Sequence, residues 1–188
     1  MGRRAFGALV GLLGLAIVGY LVFQSGLWVG LLGSGEYEEG SVTVTNGSET
    51  PTPCDTSPNA TEVTACDGKE QLATVQVRIA NTFQARYTGL SETDSLGPDE
   101  GMLFVHNEEA EYTYVMRDMA FPLDIIFVAE NGTITTIHHA PLPPEGTSES
   151  ELQGYSGRGK YVLEVNRGWA NRTGVSVGDT VELPDSVE

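Results

Sequence analysis

Basic residues are scarce in this sequence, and their scarcity excludes one large class of function. The 188 residues include 10 Lys or Arg against 26 Asp or Glu, which gives a formal net charge of -16 and an isoelectric point near 4.4. Proteins that bind nucleic acid neutralise its phosphates with basic side chains. We therefore predict that this protein has no nucleic-acid partner.

Lysine is almost absent, since Lys69 and Lys160 are the only two in the chain. The acidic residues are spread along the sequence, which is typical of a surface that stays solvated in concentrated salt. An acidic patch for one cationic partner would instead concentrate them in a block. Salt screens the repulsion between carboxylates, because the Debye length falls to about 3 Å at 1 M salt. The composition therefore predicts a halophile-like protein.

Cysteine is rare as well, with Cys54 and Cys66 as the only two. In an oxidising compartment they could form a disulfide that closes a small loop, and we predict this bond. A metal site is disfavoured because no His or third Cys lies near them in the sequence. His138 and His139 are neighbours on a predicted strand and would point to opposite faces of it. We therefore predict neither a metal nor a cofactor.

The common catalytic motifs are missing too. The sequence contains no Gly-x-Ser-x-Gly elbow, no Walker loop and no dinucleotide-binding fingerprint. Nucleophilic catalysis of a familiar kind thus has little support. The leading hypothesis is a protein that is not an enzyme.

The N-terminus carries a long apolar run, with 19 uncharged residues from Ala5 to Phe23. As a helix this run spans roughly 28 Å, close to the roughly 30 Å of a bilayer core. Two Arg residues precede it and acidic residues follow, which predicts that the rest of the chain lies outside the cytoplasm. The run is longer than a signal-peptide core, and no clear A-x-A cleavage site follows it. We predict that residues 1–34 are an uncleaved signal anchor, a transmembrane helix that contacts the lipid bilayer through residues 5–33.

A polar segment follows the anchor. Residues 36–70 hold ten Ser or Thr and few large apolar side chains, which predicts a flexible linker over residues 35–70 and a folded domain over residues 71–188. Four tripeptides in the chain also fit the N-glycosylation pattern, in agreement with an external location. These candidate glycosylation sites are Asn46, Asn59, Asn131 and Asn171.

Hydrophobic periodicity predicts that the folded domain is mainly β. Leu72–Ala80 alternates as a half-buried strand does, and Asn81–Gly89 follows as a short helix with Thr82 as its cap. Asn131-Gly132 indicates a type I′ hairpin, whereas the Pro- and Gly-rich residues 140–160 indicate a long loop. The other predicted elements are six strands and a second short helix. They are Met102–His106, Glu111–Arg117, Leu123–Ala129, Thr133–His138, Tyr161–Val165 and the helix Gly168–Thr173, before a last strand at Thr180–Leu183.

These elements predict an antiparallel β-sandwich or barrel of about seven strands with two short helices, preceded by one transmembrane helix. Six motifs in the domain also occur in a recognisable order. They are Arg86-Tyr-Thr-Gly-Leu, Gly101-Met-Leu-Phe, Tyr114-Val-Met-Arg-Asp, Pro122-Leu-Asp-Ile-Ile-Phe, Tyr161-Val-Leu-Glu-Val and Gly168-Trp. In this respect residues 72–184 resemble domain-of-unknown-function family 192. The resemblance implies a compact β-rich domain, often secreted or membrane-anchored, without an established biochemical activity.

The sequence departs from the family pattern in one stretch. The family commonly shows Phe-Trp-Met-Lys-Asn-Thr where this chain has Tyr114-Val-Met-Arg-Asp-Met. The Trp is replaced by Val, and the amide of Asn is replaced by the acid of Asp118. If the stretch lines a ligand site, its polar end has changed chemistry, so a ligand cannot be carried over from the family. We regard Tyr114, Met116 and Asp118 as candidate ligand-binding residues.

Three charged residues interrupt apolar motifs, namely Arg86, Asp124 and Glu164. Burying an unpaired carboxylate is costly, so each acid should find Arg86, another donor or water. One interpretation is structural, with Arg86 connecting the first helix to a strand through such an ion pair. In the other, the three groups converge on a pocket under the 140–160 loop, where two carboxylates can act as acid and base.

The leading hypothesis is a membrane-tethered extracytoplasmic domain that binds a small polar ligand, an envelope sugar or a protein partner. The face proposed for binding carries Arg86, Asp124 and the 140–160 loop. A hydrolase that uses Asp124 and Glu164 is the alternative, and a structural envelope protein is the third hypothesis. A hydrolase needs both carboxylates near the same substrate atom, so their placement on opposite faces would exclude it.

Overall fold

The computed structural model describes residues 37–47 and 69–187. The elements of these residues are strands, two α-helices and two short 3₁₀ turns. The strands are β1 Glu38–Thr45, β2 Gln71–Ala80, β3 Glu100–Val115, β4 Leu123–Val128, β5 Ile134–Ala140, β6 Gly154–Asn166 and β7 Thr180–Glu182. The helices are α1 Phe83–Thr88 and α2 Trp169–Thr173, and the 3₁₀ turns are Glu149–Glu151 and Asp185–Val187.

The seven strands of the described part form one sheet in the order β5-β4-β6-β3-β2-β1-β7. Neighbouring strands are antiparallel except β2 and β3, which are parallel because α1 provides the crossover between them. A bridge between Thr133 and Thr180 brings the two ends of the sheet together, so the sheet curls into a half-barrel. The predicted mainly β fold with two short helices is therefore confirmed. The strands form a single curled sheet, however, and not the two stacked sheets of a sandwich.

Strand β1 corrects the predicted linker. Residues 38–45 were expected to be flexible, but Val42 and Val44 are fully buried and pair with Val75 and Ala73 of β2. The alternation of Val with Thr in this segment is a strand pattern, which the Ser- and Thr-rich composition around it concealed. The folded unit therefore includes residues before position 71.

Several predictions made from the sequence lie outside the described residues. These are the signal anchor over residues 1–34, the rest of the linker over residues 48–68, the disulfide between Cys54 and Cys66, and the sequon at Asn59. Within the part of the chain that the structure describes, no helix has the length and apolar character needed to cross a membrane.

The sheet buries apolar side chains on both faces. On one side, which we call the Trp169 face, Trp169 of α2 packs with residues such as Val75 and Leu163. On the other, the Phe104 face, Phe104 packs with residues such as Met102 and Val162. All six residues of β4 are buried, which explains why this strand is an unbroken apolar run apart from one acid.

Strands β3 and β6 form a long ribbon that bends across the sheet. β3 is one strand and not the two predicted, and its residues 106–109 lie opposite a single residue of β6, Lys160. Such an irregularity bends a ribbon and increases its twist. Residues 154–159 of β6 then pass over β4 and β5, where Thr135 Oγ1 donates a hydrogen bond to the Arg158 carbonyl. The long loop predicted for residues 140–160 is therefore wrong for residues 154–160.

Glycine allows this close approach. A Cβ atom at Gly157 would lie 2.5 Å from the ring of Phe127, and one at Gly159 would lie 2.7 Å from the carbonyl oxygen of Val128. Gly157 and Gly159, two of the Gly residues that suggested a loop, are therefore positions at which one strand contacts another.

Gly157→Ala is expected to lower the free energy of unfolding by about 1–3 kcal/mol, because the new methyl group overpacks the site against Phe127. Urea denaturation of the parent, of Gly157→Ala, of Phe127→Leu and of the double variant measures the cost of the alanine in both backgrounds. The alanine should cost less in the Phe127→Leu background, where the ring is gone. An equal cost in both backgrounds would contradict this account of the ribbon.

The turn between β4 and β5 also differs from the prediction. Gly132 has a φ of +85°, but Asn131 is not among the residues with positive φ, so the turn is not type I′. The Gly132 N–H donates to the Ala129 carbonyl at 2.9 Å, and the Asn131 side chain accepts from the Thr133 N–H at 3.0 Å. These bonds are typical of a three-residue hairpin loop that ends in a left-handed glycine.

Candidate functional site

An open cavity of about 260 Å³ lies on the Phe104 face, between α1 and strands β3 and β6. We call it the Arg86 pocket. Charged, polar and aromatic side chains line it together. They include Arg86, Phe104, His106, Tyr112, Tyr114, Arg117 and Glu164.

Arg86 is held in place by backbone groups. Its helix α1 is capped by Thr82, whose side chain accepts a hydrogen bond from the Ala85 N–H at 3.1 Å. Arg86 Nη1 donates to the carbonyl oxygens of Asn81 at 2.9 Å and Val105 at 2.8 Å. The residue therefore connects α1 to β3, but through carbonyl groups and not through the predicted ion pair. Its Nε and Nη2 atoms have no hydrogen-bond partner among the described residues.

His106, Tyr112 and Tyr114 form a polar aromatic wall. His106 Nε2 lies 3.0 Å from the Tyr114 hydroxyl oxygen, and the His106 ring stacks on Tyr112 with centroids 3.6 Å apart. Burial, followed by the positive charge of Arg86, lowers the pKa of His106 to about 4. Burial, followed by the charge of Glu164, raises the pKa of Tyr114. At neutral pH both groups are therefore uncharged.

Glu164 is the acid of the pocket. It lies in the middle of β6 between Met102 of β3 and Ile125 of β4, and only 5% of its surface is exposed. Its carboxyl oxygens are accessible from the cavity and make no hydrogen bond or ion pair with any residue in the described ranges. Burial raises the pKa of Glu164 to about 8. At neutral pH this group is a carboxylic acid whose hydrogen-bonding capacity the protein does not use.

Asp124 lies on the opposite face of the sheet. In the β4–β6 register Asp124 pairs with Val165 and Ile125 pairs with Glu164, so the two acids point in opposite directions. Asp124 Oδ2 accepts hydrogen bonds from the N–H groups of Gly168 at 3.0 Å and Ala170 at 2.9 Å. Its Oδ1 accepts from His139 Nδ1 at 2.7 Å. Asp124 thus fixes the start of α2, and the expected convergence of Arg86, Asp124 and Glu164 is wrong for Asp124.

This register also contradicts the hydrolase hypothesis. Two carboxylates that share the chemistry of one substrate atom must both reach it. Asp124 and Glu164 are separated by the sheet itself, so they cannot act as an acid and base pair.

Two other candidates lie away from the Arg86 pocket. Met116 is buried beside a second cavity of about 250 Å³, which is bordered by Tyr155 and by the Pro-rich segment 141–144. Asp118 is exposed and has a φ of 54°, in the turn that follows β3. Among the sequence candidates, therefore, the structure brings together Arg86, Tyr114 and Glu164. The 140–160 loop borders the Met116 cavity and does not line the Arg86 pocket.

The sequence analysis missed His106 and Tyr112 as pocket residues. Both lie on β3, His106 as the first of the irregular residues 106–109 and Tyr112 beyond them, so simple alternation does not place them together. The signal that could have found them is a His at the end of one predicted strand followed by two Tyr residues on the next.

Three of the candidate glycosylation sites lie among the described residues. Asn131 and Asn171 are exposed, and the Asn46 side chain accepts a hydrogen bond from the Glu70 N–H at 3.0 Å. Glycosylation at these positions stays a prediction. In residues 37–47 and 69–187, no three His, Cys, Asp or Glu side chains are grouped so that they could hold a metal ion.

Fold and cavity together define a mainly β domain whose curled sheet carries a polar pocket on one face. The chain belongs to the DUF192 family, described as uncharacterized ACR, COG1430, whose sequence pattern matches residues 63–183. No curated protein matches this chain.

Two solved structures are similar to this domain. One, from Sinorhizobium meliloti 1021, is described as a "putative transcription regulator". Its sequence is 28% identical and its TM-score is 0.61, and the match covers 80% of this chain and 97% of the Sinorhizobium chain. The other is a protein of unknown function from Novosphingobium aromaticivorans, which is 27% identical with a TM-score of 0.58, over 80% of this chain and 89% of that one.

Proposed function

We propose that this domain binds a small polar ligand in the Arg86 pocket. The observation that carries the proposal is Glu164, which is only 5% exposed in the middle of the sheet, lines an open cavity and has no protein partner for its carboxyl group among the described residues. Its carboxyl oxygens are not among the buried side-chain atoms that lack a partner, so they are accessible from the cavity. A ligand in the cavity can form the hydrogen bonds that the described residues leave to water.

The energetic cost of Glu164 supports this proposal. Fold stability alone would favour an apolar residue between Met102 and Ile125, because a carboxyl group that is largely buried there loses part of its hydration. A buried acid with a strongly raised pKa in a cleft is typical of a functional site. Glu164 has both properties.

The size and chemistry of the pocket limit the ligand. A volume of about 260 Å³ lies just below the roughly 300–1,000 Å³ of sites for drug-sized molecules. The polar groups of Arg86, Tyr114 and Glu164 border a cavity that also has aromatic walls. This combination suits a molecule of metabolite or monosaccharide size.

Binding is favoured over catalysis and over nucleic-acid recognition. Among the described residues that line the pocket, Glu164 is the one carboxylic acid, so the pair of carboxyl groups that the hydrolase hypothesis requires is lacking. The description of the Sinorhizobium protein as a regulator does not transfer well to this chain. Residues 35–188 hold 8 basic and 26 acidic residues, a net charge of -18, which opposes binding to phosphates.

We further propose that the domain is tethered outside the cytoplasm of a salt-adapted cell. The support comes from the sequence, namely the apolar run from Ala5 to Phe23, the two Arg residues before it and the acidic composition after it. In that location an envelope sugar is an accessible ligand.

A thermal-shift screen of sugars, amino acids and organic acids at constant high salt tests the binding function. A ligand at a hundred times its Kd adds about 2.7 kcal/mol to the stability of the folded state. We expect such a ligand to stabilise the parent protein and the exposed-site control Glu182→Leu, but not Glu164→Leu. If no compound stabilises the parent, or if each active compound stabilises Glu164→Leu equally, the proposed function is wrong.

A further inference from the structure

We infer that the ligand of the Arg86 pocket is a hydroxylated carboxylate of the uronic acid type, with its carboxylate on Arg86 and a hydroxyl group on Glu164. This inference rests on the proposed function and names the chemical class of its ligand. It follows from the charge of the pocket, the free edge of one guanidinium group and the hydrogen-bonding character of a buried acid.

The pocket is a positively charged site on a strongly acidic protein. Arg86 and Arg117 both line it, and its acid, Glu164, is uncharged at neutral pH because burial raises its pKa to about 8. His106 is uncharged as well. The whole chain carries a net charge of -16, so this local excess of positive charge is an exception. Such a site attracts an anion and disfavours a cation.

Arg86 is the group that can bind the anion. Its Nη1 atom is occupied by the carbonyls of Asn81 and Val105, which fix the plane of the guanidinium group. Its Nε and Nη2 atoms have no partner in the described part of the chain, and this edge of a guanidinium group matches the two oxygens of a carboxylate. Because the group is already fixed, it loses little conformational freedom on binding.

Arg117 is less available than Arg86. Its Nη2 atom donates to the Tyr87 carbonyl, its guanidinium carbon lies 4.2 Å from the centroid of the Tyr87 ring, and its Nη1 atom lies 3.6 Å from a carboxylate oxygen of Glu149. The positive charge of Arg117 at the rim of the pocket is therefore partly offset by Glu149, while Arg86 supplies the free hydrogen-bond donors.

The carboxyl group of Glu164 predicts a second polar group on the ligand, in addition to its carboxylate. A protonated carboxyl group both donates and accepts hydrogen bonds, and so does a hydroxyl group. A simple carboxylate without a hydroxyl group would satisfy Arg86 but leave Glu164 unpaired. The rings of Phe104 and Tyr112 provide apolar walls for the carbon framework of a sugar.

A cationic ligand fits this site poorly. It would have to approach the charges of Arg86 and Arg117, and its counter-charge would have to come from Glu164. Ionising Glu164 at neutral pH works against its burial. The geometry therefore favours an acidic sugar over a neutral sugar and a neutral sugar over an amino sugar.

Three monosaccharides that share a ring but differ in charge test this order. Isothermal titration calorimetry of the parent protein with D-glucuronate, D-glucose and D-glucosamine, at neutral pH and constant salt, gives their relative affinities. The galacto series, with D-galacturonate, is measured in the same way to cover the other common ring stereochemistry. We expect the uronate to bind at least about tenfold more tightly than the neutral sugar, since a charge-assisted bidentate pair contributes roughly this much or more.

Two variants test whether Arg86 causes the preference for the uronate over the neutral sugar. Arg86→Lys keeps the positive charge but loses the two-donor edge, so it should lose most of the preference for the uronate over the neutral sugar. The exposed Arg172→Gln should keep it. The comparison of sugars on the parent protein does not depend on either variant being folded.

The outcomes separate this inference from the proposed function. Tighter binding of the neutral or amino sugar, or binding of no sugar from either series, overturns the inference. The binding function itself still stands if another compound of the thermal-shift screen stabilises the parent but not Glu164→Leu.

Discussion

Relative to a Glu164→Gln variant, the parent protein is expected to lose about 5 kcal/mol of its free energy of unfolding as the pH rises from about 3.5 to about 9. The reason is that burial raises the pKa of Glu164 from 4.5 to about 8. Each pH unit within this interval corresponds to about 1.4 kcal/mol. The Gln side chain has the same size and does not titrate in this range.

The direction of the effect follows from proton binding. Between pH 4.5 and about 8 the folded protein holds a proton on Glu164 that the unfolded chain has released. Stability falls with pH wherever the folded state binds more protons than the unfolded state. The contribution of Glu164 is therefore fully present below pH 4.5 and is lost as the pH rises through about 8.

Urea denaturation of both proteins at a series of pH values and constant salt measures this difference. The carboxylates of Glu109 and Glu151, whose pKa values are lowered by hydrogen bonds, change stability in the opposite direction. They are present in both proteins and cancel in the comparison. Glu182→Gln, an exposed change on β7, is the control and should follow the parent at every pH. Parallel curves for the parent and Glu164→Gln would contradict a buried neutral acid.

Asp124→Ala is expected to lower the free energy of unfolding by about 3–5 kcal/mol. The fully buried carboxylate accepts hydrogen bonds from Gly168, Ala170 and His139, and its removal leaves these donors without their acceptor. Breaking a buried charged network by removing one partner has a cost of this size. The damage extends to Trp169, which is fully buried and follows directly after Gly168.

Two comparisons separate the network from the mere loss of a carboxylate. Asp124→Asn keeps one acceptor oxygen, so its loss of stability should be smaller than that of the alanine variant. Asp99→Ala removes an exposed carboxylate that pairs with Arg172 at 3.0 Å, and such a pair contributes about 1 kcal/mol at most. Denaturation midpoints for Asp124→Ala and Asp99→Ala that differ little would contradict the role given to Asp124.

Local sequence patterns were sufficient to predict the elements whose periodicity and ends depend on neighbouring residues. The alternation of Leu72–Ala80 corresponds to β2, and Thr82 and Gly89 bound α1 as predicted. The long ribbon of β3 and β6 was not predictable in this way. Gly157 looks like a loop residue in the sequence because its reason for being glycine is the ring of Phe127, which is distant along the chain.

The candidate site was predictable only in part for a related reason. Arg86 and Glu164 could be selected because charged groups in apolar motifs are costly to bury, and Tyr114 because it lies in the stretch that departs from the family pattern. The faces to which Asp124 and Glu164 point, however, depend on the register between β4 and β6, which the composition of either strand does not set. His106 and Tyr112 come together only because β3 is irregular at residues 106–109.

The central claim is that Glu164 is an uncharged acid buried in the Arg86 pocket and available to a ligand. NMR titration of the Glu164 carboxyl carbon in the parent protein, assigned with the Glu164→Gln variant, tests this claim most directly. The account predicts a midpoint near pH 8, far above the ordinary value of 4.5. A midpoint close to 4.5 would show an ordinary ionised carboxylate and would contradict the account.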